Sequence, residues 1–449
     1  MKDRYKKWIL VGVPILTVLT VVLYQIPFIY NRVAWRVDHL TTRVRYAINP
    51  PDEAIFVPQE PLPTEYTSQP PSASPTSPEH PTPESTARSE QETLTPTLAV
   101  TATPLPDVVQ IDGVEFVKQN ERWNYCAPAN LAMALKFWGW AGSRDDIARA
   151  IKPGINNPNL SFIQRGRSDK NVMPSEMIDY VAENTRFSVV ARFGGNLELI
   201  KKFIANGYPV VVEKGTYRED TTGNISWMGH YMFTTGYDNN QGTLIVQDSL
   251  IDDGNTAEDH TNVLMDDEKY LEGWRAFNYL FLVIYPPDRQ DEVYELLGPW
   301  SDPEWGYQHA LEVAEKEAGS LSGIQRFFAL FNKGTSLVKL QRYEEAAAAY
   351  DAAYDYYPNI PQEDRPWRML WYQTWPYMAY YYSGRYQDTV NLANQTLNQP
   401  DLEESLYWRA LAKEALGNND GAVADLRRAL HLNKYFDAAA IQLNRIQNQ

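Results

Sequence analysis

The chain contains one cysteine, Cys126. It stands in Trp123-Asn124-Tyr125-Cys126-Ala127-Pro128-Ala129-Asn130, directly before an apolar stretch of helical period from Leu131 to Trp140. A single thiol forms no internal disulfide and builds no zinc or iron–sulfur centre. At a helix start, the positive end of the helix dipole favours thiolate, the form that acts as a nucleophile. The competing reading is a buried cysteine that serves only as a small apolar side chain.

A thiol nucleophile needs a base, and the base needs a group to orient it. Of the six histidines, His39 and His80 lie in the N-terminal region, His309 and His431 in the C-terminal region. His260 sits in the polar run IDDGNTAEDHTN, where the expectation is a solvated side chain. His230 opens the strand-like run HYMFTTGY, and Asp248 closes the next one, TLIVQD. Gly236 to Gly242 reads as the turn between them. In a hairpin the start of one strand lies beside the end of the next, so His230 and Asp248 become neighbours. The candidate constellation is Cys126, His230 and Asp248; a buried cysteine with an unrelated strand histidine is the alternative.

The elements that must position these residues follow from periodicity. Ala127–Trp138 places Leu131, Ala134, Leu135 and Trp138 at helical spacing. A second helix is predicted from Pro174 to Asn184, with proline at its start, and a third from about Asn196 to Asn206, stopped by Gly207. Strands are predicted at Tyr208–Lys214, His230–Tyr237, Thr243–Asp248 and Asn278–Tyr285. Helices first and strands after point to an α+β domain at 108–290 rather than alternating βαβ units.

The flanks differ in kind. A basic N-terminus, with Lys2, Arg4, Lys6 and Lys7, precedes an apolar run from Trp8 to about Tyr30, long enough to cross a hydrocarbon core of roughly 30 Å. Residues 1–48 read as an uncleaved signal anchor with its juxtamembrane segment. Residues 49–107, rich in Pro, Ser, Thr and Glu, carry no apolar periodicity and read as a disordered linker. Together they predict an extracytoplasmic body anchored by one helix. Residues 291–320 read as a connector.

From 321 to 449 helices dominate. Phe327–Pro358 resembles a tetratricopeptide repeat, with Gly334, Tyr343, Ala346, Ala353 and Pro358 at its small, aromatic and closing-proline positions. Tyr407–Leu432 repeats the pattern. Trp367–Leu397 is a degenerate copy with Pro376 inside its first helix, and Phe436–Ile446 is expected to cap the array. Such a solenoid presents a surface for a peptide or protein, or serves as a packing platform for the neighbouring domain.

The order of cysteine at a helix start, histidine on a strand and aspartate after a strand resembles that of papain-like cysteine peptidases. The block CAPANLAMAL (Cys126–Leu135) resembles the CGPAxLAM motif of the bacteriocin-leader-processing type, and more closely its stand-alone bacterial relatives. Asp169–Met177, Val210–Gly215, Trp227–Asp238 and Val246–Ser249 look like the rest of that domain. The resemblance covers about 108–290. It implies a papain-like fold, with Cys126 as nucleophile, His230 as general base and acid, and Asp248 as the orienting group. Gln119, somewhat further upstream of the cysteine than the family's oxyanion glutamine, takes that role beside the backbone N–H of Cys126. Glu121 stands nearer the family's spacing, and Ala127 replaces the usual glycine.

The expected protein is a membrane-anchored, extracytoplasmic cysteine peptidase whose repeats bind substrate or a protein partner. The alternative is an inactive papain-like domain in a surface peptide-binding or scaffolding protein. The formal charge of −16 disfavours nucleic acid as a partner, because phosphate binding needs a basic surface. No HExxH, P-loop or GxGxxG occurs, so no metal or cofactor is expected.

Overall fold

The computed structural model describes residues 56–58, 104–120, 124–152, 171–219, 225–251, 255–397 and 402–448. The expected N-terminal span and most of the expected linker lie outside them. Among the described residues, no helix is long and apolar enough to cross a membrane.

The first half of the chain contains strand β1 (Val108–Gln110) and helices α1 (Cys126–Phe137), α2 (Arg144–Ile151) and α3 (Pro174–Asn184). Strand β2 (Ser188–Arg192), helix α4 (Leu197–Ala205) and strands β3 (Val210–Glu219), β4 (Ile225–Asp238), β5 (Thr243–Gln247) and β6 (Val263–Asp266) follow. Helix α5 (Asp267–Arg275) and strand β7 (Phe281–Tyr285) complete it. The strands form one sheet in the order β2-β7-β3-β4-β5-β6, with β1 also on β4. Every pair is antiparallel, as expected of an α+β domain rather than a parallel crossover fold.

The sheet is covered on both faces. Val211, Tyr231, Phe233, Leu282 and Ile284 pack with α1, α2 and α3. Val210, Val212, Met232 and Val283 alternate to the other face and pack with α4 and α5. Helix α1 is buried from Cys126 to Leu135. Four of those residues are alanines, which let the helix approach the sheet closely. Gly139, with φ +83°, follows its end.

One register detail shapes the site. Strand β3 pairs with β4 along its first part, from Glu219↔Ile225 to Val210↔Thr234. Strand β5 begins its pairing with β4 only at Phe233↔Gln247. Before Phe233, the second edge of β4 is therefore left by β5 to other partners.

Residues 291–320, expected as a connector, are largely helical. Helix α6 (Gln290–Leu297) leads through a short 3-10 turn to α7 (Pro303–Ser320), which opens with Asp302 capping the Glu304 N–H and with proline in the first turn. Then come α8 (Gly323–Lys339), α9 (Tyr343–Tyr356), α10 (Trp375–Tyr382), α11 (Tyr386–Leu397), α12 (Glu403–Ala415), α13 (Asn419–Leu432) and α14 (Asp437–Gln447). The equivalent glycines Gly384 and Gly417 turn α10 into α11 and α12 into α13 with φ of +79° and +80°. Only glycine adopts that conformation without cost.

The degenerate repeat differs from expectation. Its first helix starts at Trp375, so Pro376 lies in the first turn, where a missing N–H costs nothing. Residues 357–374 form a connector of short 3-10 turns instead.

The two halves share a core. Trp227, Ala276 and Phe277 from the sheet domain pack with Phe327, Phe328, Phe331 and Tyr372 from the helical array. Asn278 Nδ2 donates to Ser336 Oγ at 2.9 Å, and Asn332 Nδ2 to Arg275 O at 2.7 Å. Upstream, Phe56 is buried against α9 and α10, its ring centroid 5.0 Å from Tyr354 and 5.8 Å from Tyr380.

Candidate active site

Cys126 is the first residue of α1, preceded by Asn124 in the left-handed region at φ +48°. The edge of β4 that β5 leaves receives it. Asn130, one turn into α1, bridges the two: its Nδ2 donates to Cys126 O at 2.8 Å and to Tyr231 O at 2.9 Å. The Tyr231 N–H donates to the Cys126 sulfur.

His230, one residue earlier on β4, hydrogen-bonds Cys126. Its Nε2 lies 2.9 Å from Asp248 Oδ1, which leaves Nδ1 for the thiol. Asp248 follows the end of β5, so the hairpin brings His230 and Asp248 together as expected. The second oxygen of Asp248 is paired with Arg218 Nη2 at the far end of β3. The Leu250 N–H donates to Oδ1 at 3.1 Å, and the Asp248 N–H donates to His260 O at 3.0 Å. His260 is thus buried rather than solvated. Its short 3-10 turn folds back onto the chain beside Asp248.

Gln119 is held by the residues that follow Asp248. Its N–H donates to Ser249 O at 2.7 Å, and Ser249 Oγ donates to its Oε1 at 2.9 Å. Asn120 and Ile251 exchange two further hydrogen bonds, at 2.7 and 2.9 Å. With Oε1 engaged, the amide nitrogen is the end of Gln119 that remains to donate. Asn130 Nδ2 also reaches Ser249 Oγ at 3.2 Å. One serine therefore ties the glutamine loop to the cysteine helix. Glu121 lies outside the described residues. Ala127 is helical, fully buried and not at positive φ, so the methyl group in place of the usual glycine is accommodated.

Electrostatics favours an ion pair. Burial works to raise the Cys126 thiol, but the hydrogen bond and charge of His230, the Tyr231 N–H and the charge of Lys152 bring it below its usual value. Burial works to lower His230, but Asp248 and Cys126 together raise it above the ordinary imidazole range. Burial would raise Asp248 too, yet His230 and Arg218 hold its carboxyl well below the usual carboxylate range. Each partner thus favours the charged form of the next.

Three ionisable residues around the site escape sequence reasoning. Lys152, just after α2 and 2% exposed, donates to Asn124 O at 2.9 Å and lies 5.3 Å from the Tyr125 ring centroid. Glu213, 2% exposed, sits opposite Tyr231 on β3. Its carboxyl is raised well above normal, first by burial and then by the charge of Cys126. Arg218 is the third. Separately, the carboxylates of Glu176, Glu403 and Glu404, from α3 and α12, bring oxygens within 4.8 Å of one another, close enough to share a cation.

Comparison with known proteins places this geometry in context. Residues 111–281 match the model of the Peptidase_C39 like family, and residues 327–360 and 404–433 match tetratricopeptide repeats. No curated protein matches the chain. Among solved structures, the chain is similar to a C39-like peptidase from Bacillus anthracis at 21% identity. That match covers 40% of this chain and 98% of the other, with a TM-score of 0.31. It is similar to the peptidase domain of Streptococcus ComA, a bi-functional ABC transporter involved in quorum sensing, at 17% identity, 39% and 99% coverage and a TM-score of 0.26. Xylellain, a cysteine protease from Xylella fastidiosa, matches at 18% identity, 40% and 87% coverage and a TM-score of 0.28.

Proposed function

From a chain that carries a C39-like peptidase domain followed by tetratricopeptide repeats, we propose a cysteine peptidase that hydrolyses peptide bonds through Cys126, His230 and Asp248. The observation that carries this reading is the imidazole of His230, bonded on one side to Asp248 and on the other to the thiol of Cys126.

His230 takes the thiol proton, and the Cys126 sulfur attacks the peptide carbonyl. The developing oxyanion meets the Cys126 backbone N–H at the start of α1 and the amide of Gln119. His230 then protonates the leaving amine as the C–N bond breaks. Water, deprotonated by the same imidazole, releases the acyl group and restores the thiol. Asp248, fixed by Arg218 and the Leu250 N–H, keeps the ring oriented and stabilises its cationic form.

The apolar N-terminal run supports an anchored, extracytoplasmic body, and the repeats support binding of a peptide or protein. A second reading, a papain-like domain that captures peptides without cleaving them, draws on the low exposure of Cys126 and His230, 9% and 3%. The deciding experiment is the pH dependence of Cys126 alkylation, with His230→Ala beside it. A depressed thiol pKa that rises in the variant supports the peptidase. An ordinary thiol in both proteins removes it in favour of peptide capture.

A further inference from the structure

The connector at 357–374 lies on the outer part of the β3–β4 hairpin, next to the site. Polar contacts pin it at several points. The Tyr217 hydroxyl donates to Asp364 O at 2.8 Å, and Arg368 donates to Trp227 O at 3.2 Å and to Ser226 Oγ. Asn171 Nδ2 donates to Trp371 O at 3.3 Å, and Gln373 Nε2 to Ala276 O at 2.7 Å.

Tyr372 is the buried centre of this contact. Its ring meets Trp227 and Phe277 edge-on, with centroids 5.9 and 6.0 Å away. A Cβ at Gly229 would lie 2.7 Å from the Phe277 ring and 2.7 Å from the Tyr372 ring, so the approach exists only because residue 229 is glycine. The Gly229 N–H donates to the Tyr372 hydroxyl. That hydroxyl is raised first by burial and further by the charges of Cys126 and Glu213.

These contacts line up along the edge of β4 that β5 leaves. The Gly229 N–H meets Tyr372, the Tyr231 N–H meets the Cys126 sulfur, and Tyr231 O meets Asn130. His230 is the residue between. Side chains from two distant parts of the chain, Tyr372 on one hand and Cys126 and Asn130 on the other, therefore take up backbone groups on either side of the base.

We propose that Tyr372, supplied by the repeat region, is a positioning residue for His230, so that the sheet domain and the repeats form one catalytic unit. This rests on the cysteine-peptidase reading. It gives the repeats a part in chemistry that does not depend on any ligand they bind. Loss of the Tyr372 ring frees the strand at Gly229 and lets the imidazole drift from the thiol.

The test uses the full chain, with Tyr372→Ala, Tyr372→Phe and, on an exposed part of α10, Tyr382→Ala as control. Cys126 alkylation by iodoacetamide is followed across pH, alongside the thermal midpoint. The expected result is a raised apparent thiol pKa in Tyr372→Ala. At a fixed pH below the thiol pKa, alkylation should slow about tenfold for every unit by which that pKa rises. Tyr372→Phe moves the same way by less, and Tyr382→Ala does not move. Folded Tyr372→Ala and Tyr372→Phe with the parent's thiol pKa overturn the proposal, even if both melt earlier. If Tyr372→Ala does not fold, Tyr372→Phe alone decides. An ordinary thiol in the parent chain overturns the peptidase reading itself, and the two failures are read from different proteins.

Discussion

Arg218 holds the oxygen of Asp248 that His230 does not. The guanidinium comes from β3 and the imidazole from β4, so the hairpin delivers both to one carboxylate. Both side chains of the Arg218–Asp248 pair are largely buried, at 13% and 9% exposure. Arg218→Ala is expected to destabilise the fold by about 3 kcal/mol, because a buried carboxylate loses its partner. It should also lower kcat/KM on the order of tenfold through a less firmly held imidazole. Arg218→Lys should recover part of each, since a point charge replaces the planar fork. Denaturant unfolding and peptide hydrolysis measure the two effects separately.

The pH dependence of turnover should be a broad bell. Its acid limb follows formation of the Cys126 thiolate, lowered from the ordinary thiol range, and its alkaline limb follows loss of the His230 proton, raised above about 6.5. Stability carries matching signs. The depressed Asp248 contributes stability above about pH 4, lost as pH falls through its folded value. The raised His230 contributes stability below about pH 6.5, lost as pH rises through its folded value. His230→Ala should abolish the second change, as read from melting curves across pH.

Gln119 and Ser249 should separate donor from scaffold. Gln119→Ala removes the proposed oxyanion donor and should lower kcat by about a hundredfold with little change in KM. Ser249→Ala leaves Gln119 Oε1 without its partner, at a cost of about 1–3 kcal/mol of stability, and should reduce kcat less. A Ser249→Ala loss as large as that of Gln119→Ala would mean that the clamp, rather than the amide donor, dominates.

Lys152 should act on the thiol through charge. Lys152→Met is expected to raise the Cys126 pKa, because the ammonium is one of the groups that lower it. The loop before α1 should loosen as well, since Asn124 O loses a donor. Lys152→Arg keeps the charge and should restore the thiol pKa even where it packs imperfectly. Alkylation rates across pH distinguish that from a loss of packing alone.

Much of the site was legible because its parts are local. The thiol opens a periodic helix, and a hairpin places His230 beside Asp248 whatever the rest of the chain does. Other features depended on burial that no local pattern announces. Glu213 and Lys214 are charged residues at the end of the strand expected at Tyr208–Lys214, yet both are buried, at 2% and 6%, because helices cover the sheet on both faces. His260 sits in a run of polar residues, but its carbonyl is needed by the Asp248 N–H. Strands β1 and β6, of three and four residues, are too short for alternation to stand out and owe their identity to their partners. Tyr372 belongs to a stretch that only the folded chain brings near Gly229.

The burial of Phe56 gives the chain a foothold on the repeat helices in addition to the one that β1 makes on the sheet. Phe56 is seated between Tyr354 and Tyr380, while Val108–Gln110 is stitched to β4. A pull on the chain ahead of Phe56 is therefore borne by the repeat helices before it reaches the sheet domain.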